Sequence, residues 1–439
     1  MSPRESATDL ALRLKTAGHT ALFAGGCVRD TILGVEPKDF DIATSATPAE
    51  LVQLFPGANE VGAHFGVVIV RHHHHATEIA TFRTDGSYHD GRRPESVTFS
   101  TPSEDAARRD FTINALFQDP VTGEIIDHTG GLTDLRAGIL RTVGNPSERF
   151  REDGLRLLRA IRFATRLGFE IHPDTWAAIV ALAPTLSRIS IERIRDEFSR
   201  ILTGPRRGLG LSLLTDAGLI DVFLPEIRAL IGCDQPPQWH PEGDVFIHTR
   251  IMLDLLDPDA PLPLCLAVLL HDIAKPPTRS IDETGRIRFN GHDALGAEMT
   301  TEILRRLKYP NQVIEDATFM VSRHMKFMHV QEMRLARLKQ FMAAPTFPHE
   351  LELHRVDCAS SNGFTDNYDF LRSKQEEFSH APIIPQPFLS GRDLIDRGLT
   401  PGPGFRDILD AAQTEQLEGR LTDRDAALDW LEKHLQGGA

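Results

Sequence analysis

The chain has 439 residues, 25% of them charged, and a formal net charge of −14 at pH 7. That length exceeds one ordinary hydrophobic core, so several domains are expected, and the acidic balance excludes a protein that coats nucleic acid nonspecifically. Cys27, Cys233, Cys265 and Cys358 lie far apart without a C-x-x-C pair, which excludes a disulfide framework or thiolate metal site and fits a reducing cytosol.

The first residues, Met1-Ser2-Pro3-Arg4-Glu5-Ser6, contain no apolar run of the secretory kind. The longest apolar run, Leu262 to Leu270, is half a membrane span and holds Pro263, so it reads as a buried helix. A cytoplasmic protein with no membrane partner is expected; the oligomeric state is not legible.

In chain order, an apolar strand at Ala21-Leu22-Phe23 runs into Gly25-Gly26. A short helix with an Arg29-Asp30 start follows, and a second strand is expected to carry Asp39 and Asp41. On a strand, residues i and i+2 share a face, so both carboxylates can hold Mg²⁺ while Phe40 packs inward. The glycines let backbone N–H groups approach a triphosphate. Either half alone would read as a loop with solvated acids; together they point to metal-dependent nucleotidyl transfer.

This segment resembles the first motif of the polymerase-β-like nucleotidyltransferases. Its extended form (Val28-Arg29-Asp30, Leu33-Gly34, Pro37 and the closing Asp39-Phe40-Asp41) is similar to that of the bacterial tRNA CCA-adding enzymes and of their relatives, the bacterial poly(A) polymerases. The resemblance implies a nucleotide-binding role for Gly25, Gly26 and Arg29.

Further strands are expected at Val67 to Val70, Thr77 to Phe82, Val97 to Ser100 and Glu124 to Asp127, giving an α/β head on a small sheet. His72 to His75, between two strand-like runs, read as a polar hairpin tip. The resemblance implies a third catalytic carboxylate on a neighbouring strand, for which Glu78 is the candidate; an exposed hairpin glutamate is the alternative. The Gly- and charge-rich stretch Phe82 to Glu95 reads as a mobile loop and resembles the loop that helps relatives switch from C to A. Arg108-Arg109-Asp110-Phe111 resembles the second family motif. An arginine can clamp phosphate and a carboxylate can accept from a ribose hydroxyl, so Arg109 is assigned to the triphosphate and Asp110 to the ribose, a helix N-cap being the alternative for Asp110.

Between Arg141 and Arg207 thirteen arginines face eight acids, a basic island that suits a tRNA backbone but also a salt-bridged helical face. Within it, Arg149 to Arg162 has helical period. Asp153, Arg156, Arg159, Arg162 and Arg166 fall on one face, and Leu157, Leu158, Ile161 and Ala164 face the core. Asp153 can accept from an exocyclic amine and Arg156 can donate to the adjacent ring nitrogen. Cytosine and adenine offer that polarity; guanine and uracil reverse it and would leave a buried charge unpaired. The segment resembles the Glu-Asp-x-x-Arg motif of the class II CCA-adding enzymes, with Gly154 where relatives often have Pro, and the resemblance gives Arg159 and Arg162 to the phosphate side. Ile189 to Glu197 resembles the family's neck helix and is expected to support the pocket.

A Pro/Gly-rich bridge, Asp234 to Gly243, marks a boundary. Beyond it His248, His271-Asp272 and Asp357 follow the order of the HD-type metal phosphohydrolases, and His292 and His324 sit where relatives place second-metal ligands. Such a set suits Ni²⁺, Mn²⁺, Fe²⁺ or Zn²⁺. The tail ends in a helix opened by Thr422-Asp423-Arg424-Asp425, with Ala427, Leu428, Leu431 and Leu435 on one face.

The expected architecture is therefore multidomain α+β: a nucleotidyltransferase head (1–144), a helical neck and body (145–233), an HD unit (244–365) and a helical tail (381–439). The expected reaction is untemplated addition of C, C and A to the tRNA 3′ end from CTP and ATP, with Mg²⁺. Alternatives are an A-adding enzyme or poly(A) polymerase, an HD phosphohydrolase whose head recruits RNA, and a non-catalytic RNA-binding protein, which the intact Asp39/Asp41 pair disfavours.

Overall fold

In the computed structural model the described residues are 1–59, 66–86 and 96–436. They form two compact units, 1–228 and 229–439. The loop expected over Phe82 to Glu95 lies partly outside the described residues.

The first unit begins with a six-stranded sheet. Its strands are β1 (Ala21–Ala24), β2 (Ile42–Thr44), β3 (Val67–His72), β4 (His75–Thr81), β7 (Leu116–Gln118) and β8 (Ile125–Asp127), in the order β3-β4-β2-β1-β7-β8. The short strands β5 (Arg83–Asp85) and β6 (Val97–Phe99) pair apart from it. The run at Val97 is thus a strand, as expected, but not of the main sheet. β7 was not expected, because Leu116-Phe117 follows the charged Arg108–Asp110 cluster without a turn signal. It nevertheless occupies a central place, paired with β1 and β8.

β2 pairs antiparallel with β1 and parallel with β4. The strand opens at Ile42, so Asp39 and Asp41 sit on its extended approach rather than inside it. The expected alternation survives because the Ala24 N–H already donates to the Asp41 carbonyl. Phe40 is buried against Phe23, while Asp39 and Asp41 face out. β3 and β4 form the histidine-tipped hairpin: His73 and His74 both take positive φ, 44° and 67°, as a tight two-residue turn between twisted strands requires.

The helices that follow include Pro146–Glu152, Leu155–Leu167 and Ile191–Leu202. The arginine-bearing helix is not continuous, contrary to expectation. It ends at Glu152, Asp153 turns extended (φ −142°, ψ 105°), and a new helix starts after Gly154. Gly154 is a poor helix former, and the Asp153 carboxylate accepts from the Leu155 N–H at 3.0 Å, opening the second helix. That second helix buries Leu157, Leu158, Ile161 and Ala164.

In the second unit, the helices Val245–Leu255, Leu262–Leu270, His292–Arg306, Asn311–Arg323 and Phe347–Ser360 surround the histidines. Gly296 of the helix that starts at His292 faces Val321 and the His271 carbonyl, where a Cβ would make ordinary contacts of 3.4 and 3.6 Å. The tail packs its own core of Leu394, Ala427 and Leu431, and Asp423 caps the last helix through the Ala426 N–H. Among the described residues no helix is long and apolar enough to cross a membrane.

Candidate active sites

A cleft of about 590 Å³ in the first unit is lined by Gly25, Gly26, Arg29, Asp41, Glu78, Arg109, Asp110, Asp153, Arg156, Arg159 and Arg162. Nearly all the residues expected to handle a nucleotide therefore share one opening. Glu78 and Asp41 come together because β2 and β4 run parallel, with Ile42 opposite Ile79. Asp41 keeps solvent access through the cleft mouth, with protein on its other sides. Partial burial, then the Glu78 and Asp39 carboxylates, push its pKa up to about 6 from an ordinary 3.8. The three acids are like charges close enough to perturb one another, a crowding that a cation would relieve.

Gly25 acts through its conformation, φ +72°, and through the space it leaves: a Cβ would come within 3.0 Å of the Arg109 guanidinium. Its own N–H donates to the Leu116 carbonyl. Arg109 donates twice to one Asp105 oxygen (3.1 and 3.0 Å), donates to the Asn114 carbonyl at 3.2 Å and lies over the Phe117 ring. Arg29 is buried, bonded to Asp30 at 2.7 Å and to the Asn114 side chain at 2.6 Å. Asp110 accepts from Arg159 at 3.0 Å and from Asn114 at 3.1 Å, and its neighbouring arginine holds its pKa below the usual range although burial opposes this. It does not cap a helix. Asp110, expected to meet a ribose, lines the cleft and is also a partner of Arg159.

The arginine row is balanced by the protein's own acids. Arg156 pairs with Glu152 at 2.5 Å, Arg162 with Glu197 at 2.6 Å, and Arg166 with Asp30 at 3.5 Å. The Phe163 ring lies beneath Arg29, Arg159 and Arg162, with its centroid 4.4–5.4 Å from each guanidinium carbon. Of these pairs Arg162–Glu197 is the most buried, and removing one member of a buried pair typically costs about 3–5 kcal/mol, whereas the half-exposed Arg166–Asp30 pair is worth far less. Asp153 and Arg156 were expected to act together, yet each has a different protein partner. Asp153 accepts from Arg193 of the neck helix at 2.9 Å, and Arg156 turns to Glu152 and the Arg149 carbonyl.

Sequence reasoning missed Asp105, Asn114 and Glu197 as organisers of this cleft. Asp105 was detectable, lying three and four residues before Arg108 and Arg109. Glu197 follows Arg193 by one helical turn, also a readable spacing.

In the second unit all six expected ligands converge. His248, His271 and Asp357 form one triad, and Asp272, His292 and His324 form another. His271, His292 and His324 each direct Nδ1 to a backbone carbonyl at 2.7–2.9 Å. That bond fixes Nδ1 as donor and leaves Nε2 as the free lone pair. His248 Nδ1 lies 2.7 Å from the Glu242 carboxylate, an arrangement that orients a metal-binding imidazole. The Nε2 atoms of His248 and His271 are buried without a hydrogen-bond partner, although carboxylate oxygens lie 3.1–3.2 Å away. Burial lowers the His248 pKa, but Asp357 and Glu242 outweigh it and raise it to about 9. Burial and the neighbouring His271 lower that of His324 to about 4. These donor sets fit divalent cations.

The bridge 234–243 serves this site: Glu242 holds His248, and Gln235 accepts from Lys275 at 2.6 Å while Lys275 also pairs with Asp272. Nothing in its Pro/Gly composition signalled this.

Residues 21–141 match the family described as Poly A polymerase head domain, 168–231 the probable RNA and SrmB-binding site of polymerase A, and 244–347 the HD domain. A CCA-adding enzyme of Geobacillus thermodenitrificans (strain NG80-2) is 34% identical over 98% of this chain and 96% of its own length. The chain belongs to the CCA-adding enzyme family. With the CCA-adding enzyme of Geobacillus kaustophilus (strain HTA426) the identity is 47%, over 52% of this chain and about half, 56%, of that relative's length. The crystal structure of the Bacillus stearothermophilus CCA-adding enzyme in complex with CTP superposes with a TM-score of 0.77 at 30% identity, covering 100% of this chain and 99% of that one.

Proposed function

We propose that this family member is a tRNA nucleotidyltransferase that adds C, C and A to tRNA 3′ ends from CTP and ATP. The observation that carries the reading is the single cleft in which Asp41 and Glu78, Gly25, Arg109 and the Asp153–Arg156 segment meet. Mg²⁺ bound by Asp39 and Asp41 would activate the 3′-hydroxyl and neutralise the departing pyrophosphate. Glu78 adds a third carboxylate beside them. Gly25 and Gly26 leave room for the triphosphate, and Arg109 and Arg159 keep N–H donors beyond those spent on Asp105 and Asp110. Arg29 and Arg162 hold that wall through Asp30, Asn114 and Glu197. Asp153 accepts the amine of cytosine or adenine while Arg156 donates to the adjacent ring nitrogen, so G and U are refused. The basic residues of the neck and body would carry the tRNA backbone, and the domain bounds 1–144, 145–233, 244–365 and 381–439 remain our working division. The compartment we infer is the cytoplasm.

A second activity rests on a separate observation, the adjoining ligand triads His248–His271–Asp357 and Asp272–His292–His324. We read them as a phosphohydrolase site whose His248, His271, Asp272, His292, His324 and Asp357 would bind Ni²⁺, Mn²⁺, Fe²⁺ or Zn²⁺ and polarise a phosphate ester, such as a 2′,3′-cyclic or terminal phosphate on damaged tRNA.

The test incubates the protein with tRNA lacking CCA, tRNA ending in C-C, and unrelated RNA, with each NTP and Mg²⁺, and sequences the 3′ ends. Addition of C-C-A to the first substrate alone is expected to be complete. A-tails on unrelated RNA would make it a poly(A) polymerase, and A addition confined to C-C ends an A-adding enzyme.

A further inference from the structure

We propose that Gln235, in the bridge 234–243, is a substrate-binding residue of the second site: its side-chain amide donates to a phosphoryl oxygen held beside the metal ligands. This rests on the phosphohydrolase reading above and deepens it by naming a group that recognises the ester. Gln235 is only 4% exposed, so its amide is shielded from bulk water. Lys275, which can only donate, assigns the two ends of that amide: Oε1 accepts from its Nζ at 2.6 Å. Nε2, the other end, is buried with no hydrogen-bond partner among the described residues. A buried N–H left unpaired carries its full desolvation cost, so the group calls for an acceptor.

The surroundings say which acceptor. Lys275 Nζ also lies 2.7 Å from Asp272 Oδ2, so a single lysine separates the amide from a carboxylate of the ligand set. The unpartnered atoms of the ligands themselves, Nε2 of His248 and His271 and Oδ2 of Asp272, offer lone pairs that a cation takes up. An amide nitrogen offers none, because its lone pair is delocalised into the carbonyl and it acts as a donor alone. Its partner is therefore an acceptor placed among cations, the Lys275 ammonium and the metal that the ligands would hold. An anionic oxygen meets that description, and a phosphoryl group carries several, one for the metal and another for the amide. Glu242 of the same bridge already orients the ligand His248. The bridge would thus supply both a support for a metal ligand and a contact to substrate. An ordered water is the competing occupant, and the experiment separates the two.

The experiment titrates inorganic phosphate into the full chain loaded with Mn²⁺, by calorimetry, for wild type, Gln235→Leu and Gln235→Glu. Elemental analysis and melting curves accompany each, and Asp272→Ala defines the heat that arises away from this site. Gln235→Glu keeps an acceptor for Lys275 and removes the donor; Gln235→Leu removes both at similar volume. Loss of one hydrogen bond to a charged group should weaken phosphate binding roughly tenfold in both variants, with the metal content unchanged. On a 2′,3′-cyclic phosphate the same variants should raise KM more than they lower kcat. Wild-type phosphate affinity in both would overturn the proposal and leave the amide to a water. Weakening in Gln235→Glu alone would mean charge repulsion, and weakening in Gln235→Leu alone, or loss of metal, would mean a support for Lys275 and Asp272; each overturns it. If Gln235→Leu fails to fold, Gln235→Met, which keeps the stem without the amide, is read in its place. Wild type that binds no phosphate and cleaves no ester is a different result, and would remove the phosphohydrolase reading itself.

Discussion

The acids of the first unit's cleft and the histidine cluster of the second unit meet the same electrostatic problem in opposite ways. In the first unit, Asp41 and Glu78 line the cleft with Asp39 close by, and partial burial, then the Glu78 and Asp39 charges, raise the Asp41 pKa to about 6. Their surroundings are arginines already paired with acids. In the second unit the ligands are buried imidazoles and carboxylates, with His248, His271 and Asp272 at most 2% exposed, and most are oriented by carbonyls or by Glu242. In the proposed reaction the first arrangement would take an ion that arrives with its nucleotide and leaves with pyrophosphate. The second suits a resident ion.

The largest expected effect isolates the open site. Asp39→Ala or Asp41→Ala should reduce nucleotide addition by about a thousandfold or more, since the cation is central to phosphoryl chemistry. Filter binding of tRNA should persist, because the arginines of the neck are untouched. Turnover near wild type in either variant would break the assignment.

Next comes the closed site. Asp272→Ala should abolish hydrolysis of cyclic or terminal phosphate esters and lower the bound transition metal, measured by elemental analysis, while C-C-A addition stays near wild type. A folded Asp272→Ala protein that no longer adds nucleotides would show the sites to be coupled.

A smaller effect probes selectivity in the open cleft. Asp153→Ala or Arg156→Ala should admit UTP or GTP, with about 1–3 kcal/mol of discrimination lost per contact. Slower addition with C/A selectivity unchanged would make the pair structural.

The smallest effect is a pH dependence. Asp41 has a folded pKa raised above its ordinary value, so in metal-free protein its contribution favours folding below about pH 4 and is lost as pH rises through about 6. Mg²⁺ competes with that proton. The increase in Tm on adding Mg²⁺ should therefore grow between pH 5 and pH 7, and a shift independent of pH would argue against metal binding at Asp41.

Much of this was local and hence legible. The glycine pair before a helix, Asp39 and Asp41 around an inward Phe40, the histidine hairpin tip and the Leu262–Leu270 helix all follow from side-chain periodicity and short-range backbone preference, whereas the HD ligands were legible only through the resemblance of their order to a known family. Such signals lie within a few residues of one another, where chain geometry alone dictates who shares a face. What the chain could not disclose in one dimension was which charge meets which. Helical spacing offered Arg156 to Asp153; a break at Gly154 and a neck helix forty residues on supplied Arg193 instead. An adjacent-strand carboxylate was a guess until β2 and β4 proved parallel, bringing Glu78 beside Asp41. Glu242, in a segment whose composition read as a linker, became the partner of a buried histidine. Ion pairs and hydrogen bonds act over a few ångströms of space, and the fold sets those distances by packing elements that are remote along the chain.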